Sequence, residues 1–117
     1  MIAQHKLVGQ SVHSVSEALV SAQSGYEYLV AGTIFASQSH PDGQAQGLDY
    51  LRDVCAAVTI PVVAIGGITP DRVAGCIEAG AAGVAVLSPI MRADDPQLIA
   101  QDYRQALDSA WKAKQCT

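Results

Sequence analysis

The chain has 117 residues, of which 50% are hydrophobic and 15% charged, and it carries a formal net charge of −4. An acidic chain without a basic stripe does not suit nucleic acid as a partner. No apolar run approaches the ~20 residues that a membrane-spanning helix needs. Residues 1–6 lack the apolar segment of a secretion signal, so we expect a cytoplasmic protein. The length accommodates one domain, residues 1–117, but is roughly half of the ~250 residues of a complete β/α barrel.

The three cysteines, Cys55, Cys76 and Cys116, follow no metal-ligand spacing. Their odd number, together with the absence of a secretion signal, favours reduced thiols over a disulfide framework. Cys55 and Cys76 fall among apolar positions of predicted helices, which indicates a role in packing. The sequence therefore predicts no metal site within this chain.

The first predicted unit is a strand followed by a helix. Leu7–Val12 forms the strand, and Ser14 with Glu17 fits a capping box at the start of the helix. This helix is expected to run to about Ser24, because Gly25 stands where the glycine that follows a helix belongs.

The second unit begins with a strand over Glu27–Phe35 and continues into a polar loop, Ala36–Gln46, which is rich in Ser, Gln, Gly and Pro. Apolar residues then recur at helical spacing and predict the second helix. These residues are Leu48, Leu51, Val54, Cys55 and Val58.

The third unit holds the most informative stretch, residues 61–71, with the sequence Pro-Val-Val-Ala-Ile-Gly-Gly-Ile-Thr-Pro-Asp. Its apolar start does not alternate, which predicts a strand that is covered on both faces. Gly66 and Gly67 allow a sharp turn and the close approach of a ligand. Thr69 is expected to cap a helix over Pro70–Ala79. Backbone amides in such a turn, at the start of a helix, favour an anion and typically a phosphate.

The fourth unit repeats this pattern with a strand over Gly83–Ser88 and a last helix from Pro96 to about Lys112. Ser88 is a small polar residue at the end of its strand, where a β/α barrel places its ligand contacts. The last helix is predicted to bury one apolar face. This face comprises Leu98, Ile99, Tyr103, Ala106, Leu107, Ala110 and Trp111.

Strands that alternate with helices predict a parallel sheet with right-handed crossovers, and hence an α/β fold of four consecutive β/α units. Two successive strand–turn–helix units of this kind suggest a β/α barrel, and four units make half of a TIM (β/α)8 barrel. In that barrel the loops after the seventh and eighth strands commonly form a phosphate site. Because four strands leave two unpaired edges, we expect this half-barrel to be completed by oligomerisation.

Four motifs, in order and at the right spacing, carry a resemblance to a known family. They are Gly9-x-Ser11-x-His13, Gly32-Thr33-Ile34-Phe35 with Ser37-Gln38-Ser39-His40, Ala64-Ile65-Gly66-Gly67-Ile68, and Val84-Ala85-Val86-Leu87-Ser88-Pro89-Ile90. Together they resemble thiamine phosphate synthase and, equally, its relative TenI, the thiazole tautomerase. The resemblance covers about residues 7–107 and is to the C-terminal half of that barrel, its strands five to eight.

The resemblance implies a role for residues at each strand end. Ser11 looks like a pyrophosphate contact, and Ser37 and Ser39 stand where the synthases have threonines on the thiazole phosphate side. The amide cradle for the thiazole phosphate is expected at Gly66, Gly67 and Ser88.

This chain departs from the family pattern in three respects. The synthases have a lysine where this chain has His40, the candidate catalytic residue, so a fixed positive charge is replaced by a titratable one. The magnesium-binding carboxylates and the pyrimidine pocket lie in the family's N-terminal half, so magnesium is implied only if the missing half of the site is supplied. The proposed catalytic histidine of the tautomerase aligns with Thr33.

Three hypotheses follow. The first is a synthase-like transferase of thiamine biosynthesis, in which the thiazole nitrogen attacks the pyrimidine methylene and pyrophosphate leaves. The second is thiazole tautomerisation by proton transfer. The third is a non-catalytic half-barrel that binds phosphorylated metabolites or self-associates, so enzymatic activity stays open. The expected partners are a phosphorylated thiazole and either a second copy, forming a homodimer, or a separate N-terminal half. No nucleic acid or membrane is expected as a partner.

Overall fold

The structure, a computed structural model, describes residues 8–35, 45–86 and 96–115. Strand and helix alternate four times, which confirms the predicted α/β fold. The elements are β1 (Gly9–Val12), α1 (Val15–Gln23), β2 (Tyr28–Ala31), α2 (Gly47–Ala57), β3 (Val62–Ile65), α3 (Pro70–Glu78), β4 (Gly83–Ala85) and α4 (Pro96–Gln115). None of these helices is long and apolar enough to cross a membrane.

The four strands form one parallel sheet in the order β1-β2-β3-β4. Ser11 pairs with Val30, Val30 with Val63, and Val63 with Gly83. Each strand thus lies beside the next one along the chain, with a helix between them, as in a β/α barrel. Among the described residues, the outer edges of β1 and β4 have no neighbouring strand.

The two faces of the sheet differ in burial. On one face, under the helices, Leu29 is 0% and Val62 2% exposed. On the other face, Val30 and Val63 are half-buried and Ile65 is 40% exposed. The prediction that the third strand is covered on both faces is therefore wrong for the part of the chain that the structure describes. The inner face of a β/α barrel is covered by the strands opposite, and within residues 8–35, 45–86 and 96–115 the sheet has four strands.

The start and end of α1 follow the sequence closely. Ser14 Oγ accepts a hydrogen bond from the Glu17 N–H at 3.1 Å, as a capping residue should. A capping box would have the Glu17 carboxylate accept from the N–H of Ser14. It accepts instead from the N–H of the preceding residue, His13, at 2.5 Å. Ser24 ends the helix, and Gly25 follows with a φ of 94°, as expected of a glycine that follows a helix.

The second strand is shorter than predicted, because β2 ends at Ala31 rather than at Phe35. Beyond Ala31 the chain stays bonded to β3, since Ile34 N–H donates to Ile65 O and Phe35 N–H to Gly66 O, each at 3.0 Å. Residues 32–35 are as apolar as a strand, although their backbone is irregular. Hydropathy alone therefore does not show where the regular strand ends.

The last helix buries a narrower face than predicted and runs on to Gln115 rather than ending near Lys112. Tyr103 is 4% exposed, whereas Leu98 is 56% and Trp111 37% exposed. Because α4 packs mainly against α3, only its middle strip is covered. Lys114 Nζ donates to Ile77 O on α3 at 3.1 Å, which holds the last turn in place.

The two cysteines within the described residues are free thiols, and both pack in the core as predicted. Cys76 is completely buried, and this burial raises the pKa of its thiol to about 11. Burial also raises the pKa of the half-buried Cys55. Both thiols are therefore neutral near pH 7 and unsuited to nucleophilic chemistry.

Candidate functional site

The chain turns at the C-terminal end of β3 through two glycines with positive φ, 108° at Gly66 and 59° at Gly67. A Cβ on Gly66 would lie 2.6 Å from Thr33 Cγ2 and 3.0 Å from Ile34 N. Gly66 is therefore required both by its backbone conformation and by the close approach of the segment after β2. The geometry is that of the sharp turn that the sequence predicted.

Helix α3 begins directly after this turn, but Thr69 does not cap it as predicted. Thr69 has the extended backbone of an N-cap residue, yet its hydroxyl makes no capping hydrogen bond. The Thr69 hydroxyl donates to the Asp71 carboxylate at 2.5 Å. This bond is the main cause that lowers the pKa of Asp71. The first helical residue, Pro70, has no N–H, the Asp71 N–H bonds its own carboxylate, and the Arg72 N–H donates to Thr69 O at 2.9 Å. The positive end of the helix dipole favours an anion beside this turn.

Arg72 reaches back from α3 across the turn. Its Nη1 donates to Gly67 O at 2.8 Å, and its guanidinium lies over the Phe35 ring, 4.6 Å from the centroid. Arg72 thus joins the glycine turn to the segment that follows β2 and places a positive charge beside the turn. Sequence reasoning missed this residue, because an arginine in the first turn of a helix is usually a solvated charge.

Tyr103 reaches the same turn from α4. Its hydroxyl donates to Ile68 O at 2.6 Å in a buried hydrogen bond. Burial, and then the nearby Asp71 carboxylate, raise the pKa of Tyr103, so the hydroxyl remains a donor at neutral pH. The sequence placed Tyr103 on the apolar face of the last helix and gave no signal for its polar contact.

Gln46 ties the ends of β1 and β2 together. Its Nε2 donates to His13 O at 2.8 Å and to Gly32 O at 3.1 Å. Its backbone N–H donates to Thr33 O at 2.8 Å. The sequence assigned this residue to a polar loop, and a single glutamine in such a loop gives no signal for a bridge between strands.

Ser11 lies on β1, two strands away from the glycine turn. It shares the register level of Val63, three residues before Gly66. The structure therefore brings Gly66 and Gly67 together at one turn and places Ser11, exposed, at a separate position toward the same end of the sheet. The remaining predicted site residues, Ser37, Ser39, His40 and Ser88, lie outside the described residues.

Within residues 8–35, 45–86 and 96–115, no three His, Cys, Asp or Glu side chains gather into a group that could hold a metal ion. Asp71, the carboxylate nearest the turn, is engaged by Thr69. The described residues alone therefore do not fit a magnesium ion.

Comparison with known proteins shows the family to which the chain belongs. The family described as "Thiamine monophosphate synthase" matches residues 1–90 of the chain. The thiamine-phosphate synthase of Chloroflexus aurantiacus is 46% identical over 101 residues, which cover 86% of this chain and 47% of that protein. That of Pyrococcus furiosus is 37% identical over 107 residues, which cover 92% of this chain and 52% of that protein.

A solved structure described as thiamine phosphate pyrophosphorylase from Pyrococcus furiosus aligns with a TM-score of 0.82 at 36% identity. The alignment covers 92% of this chain and 52% of that chain. The chain thus spans about half the length of the relatives that it matches. Sequence motifs, family match and fold agree: the chain belongs to the thiamine monophosphate synthase/TenI family.

Proposed function

We propose that this chain serves thiamine biosynthesis by binding the phosphate of a phosphorylated thiazole at the turn between β3 and α3. One observation carries the proposal: two consecutive glycines with positive φ, Gly66 and Gly67, form a tight turn that leads into the N-terminus of α3. Backbone N–H groups and the positive end of the helix dipole are what a phosphate requires. The similarity to thiamine-phosphate synthases supports the choice of ligand.

The charges around the turn support an anion. Asp71 places a carboxylate in the first turn of α3, where it would repel a phosphate. The Asp71 carboxylate, however, accepts a hydrogen bond from the Thr69 hydroxyl. The neighbouring Arg72 places a compensating positive charge at the turn. In the full proposal Ser88 completes the cradle, Ser37 and Ser39 contact the thiazole phosphate side, Ser11 contacts pyrophosphate and His40 acts in catalysis.

Binding without catalysis is the form of the proposal that the chain supports by itself. Thr33 stands where the tautomerase has its proposed catalytic histidine, and a threonine hydroxyl is a poor general base at neutral pH. Synthase chemistry in this family uses magnesium carboxylates of the N-terminal half. We therefore propose magnesium binding only for an assembly in which that N-terminal half is supplied.

The partly exposed inner face of the sheet supports an assembly. We propose that a second copy of the chain covers it, with β1 of each copy beside β4 of the other, so that eight parallel strands close with two-fold symmetry. The relatives are about twice as long as this chain, so two copies supply the mass of one complete barrel. A separate N-terminal half is the alternative occupant.

Replacing Gly67 tests the phosphate site. We expect Gly67→Leu to weaken the binding of inorganic phosphate or thiazole phosphate at least about tenfold, because the side chain fills the cradle and disfavours a positive φ. Isothermal titration calorimetry measures this. Gly25→Leu is the matched control, since Gly25 also has a positive φ, follows the C-terminal end of α1 and has open space around it. Equal affinity in wild type and Gly67→Leu would contradict the proposal.

Activity of the 117-residue chain tests the separation of binding from catalysis. We expect negligible synthesis of thiamine phosphate with or without magnesium, while thiazole phosphate still binds. The reason is that His40 stands where the synthases have a lysine with a fixed charge, and no residue of this chain matches the family's magnesium-binding carboxylates. Product formation followed by chromatography provides the measurement. Robust magnesium-dependent synthesis by the chain alone would refute this, and loss of that activity in His40→Ala would then assign the catalytic role to His40.

A further inference from the structure

Two side chains hold consecutive carbonyl groups immediately after the glycine turn. Arg72 Nη1 donates to Gly67 O at 2.8 Å, and Tyr103 Oη donates to Ile68 O at 2.6 Å. The donors come from different helices, α3 and α4. The two peptide units that connect the turn to the helix are therefore both restrained from outside the turn.

A restrained carbonyl fixes the direction of an amide. In a trans peptide unit the C=O of one residue and the N–H of the next point in opposite directions within one plane. The bond from Arg72 to Gly67 O therefore orients the Ile68 N–H, and the bond from Tyr103 to Ile68 O orients the Thr69 N–H. Both N–H groups are therefore directed away from the two donors.

Both donors are themselves held in place. Tyr103 is 4% exposed, so its bond to Ile68 O is sheltered from water. Arg72 is held a second time by its contact with the Phe35 ring at 4.6 Å. Glycines give the turn its shape but also its freedom, so preorganised binding requires such external contacts.

We infer that Arg72 and Tyr103 are positioning residues of the phosphate site, which act through the Gly67 and Ile68 carbonyls to hold the Ile68 and Thr69 amides ready for the anion. This inference rests on the phosphate site proposed above and adds the residues that set its affinity. Arg72 acts from behind the turn rather than as a direct ligand of the phosphate.

The test uses the full chain, inorganic phosphate and two substitutions with matched controls. Tyr103→Phe removes only the hydroxyl, and Tyr50→Phe makes the same change at a hydroxyl that donates to Val12 O on β1, two strands from the turn. Arg72→Met removes one positive charge, and Arg104→Met makes the same charge change at an exposed pair with Asp108 on α4.

We expect Arg72→Met and Tyr103→Phe each to weaken phosphate binding about fivefold to tenfold, the loss that one hydrogen bond produces. The controls should stay within about twofold of wild type. In ¹H–¹⁵N spectra recorded during the titration, the phosphate-induced shifts of the Ile68 and Thr69 amides should shrink in the two variants only. Thermal midpoints measured alongside separate this effect from a loss of stability.

The outcomes distinguish the two proposals. If wild type binds phosphate and Arg72→Met and Tyr103→Phe bind it equally well, the positioning role is overturned and the phosphate site stands. An equal loss in Arg104→Met would assign the effect to net charge and would also overturn the positioning role. If wild type binds no phosphate and the Ile68 and Thr69 amides do not shift, the phosphate site itself is overturned, and the positioning role with it.

Discussion

Gly66→Ala is expected to destabilise the fold by about 3–5 kcal/mol, a large part of the ~5–15 kcal/mol that holds a typical domain together. Two costs combine. Gly66 has a φ of 108°, which an L side chain rarely adopts. The added Cβ would also lie 2.6 Å from Thr33 Cγ2 and 3.0 Å from both Thr33 Cα and Ile34 N. The backbone there has little room to move away, since the Ile34 and Phe35 N–H groups donate to Ile65 O and Gly66 O, each at 3.0 Å.

Gly25→Ala separates the two costs. Gly25 has a similar φ of 94°, but nothing lies within 4 Å of the position of its Cβ. This variant should lose only the conformational term, about 1–2 kcal/mol. Urea unfolding of the two variants and the wild type gives the comparison. If Gly66→Ala costs no more than Gly25→Ala, the close approach of the two segments is not a constraint on this turn.

The second large effect concerns assembly. Light scattering at micromolar concentration should give twice the 12.2 kDa mass of one chain, or a larger closed multiple. The physical reason is that the half-buried inner face and the edges of β1 and β4 would otherwise face water. Ile65→Lys should raise the dissociation constant more than about 100-fold, because two-fold symmetry places two buried lysines in one interface.

Leu19→Lys is the control for this substitution. Leu19 is 41% exposed and Ile65 40% exposed, so both changes replace a similarly exposed aliphatic residue. Leu19 lies on α1, outside the proposed interface. Its variant should keep the wild-type mass. A wild-type mass of one chain, or an Ile65→Lys variant that assembles as well as Leu19→Lys, would refute the second copy as the occupant of this face.

The sequence by itself determined the order of the elements and the chain's family. The reason is that its signals are local: Ser14 caps a helix, Gly25 ends it, and a pair of glycines between an apolar run and Pro70 marks a strand–turn–helix junction. Such features depend on a few neighbouring residues, and the structure reproduces each of them.

Only the tertiary structure decided how the turn is held. Arg72 and Phe35 are 37 positions apart, and Tyr103 contacts Ile68 from a different helix. No local sequence pattern therefore predicts either contact. The sequence likewise predicted Thr69 as a side-chain cap of α3, whereas its hydroxyl donates to Asp71 and accepts no bond from a helix amide. The partial exposure of Ile65 arose from what lies across the sheet rather than from its own apolar run. Contacts between distant segments set these outcomes, whereas spacing along the chain sets only which segments exist.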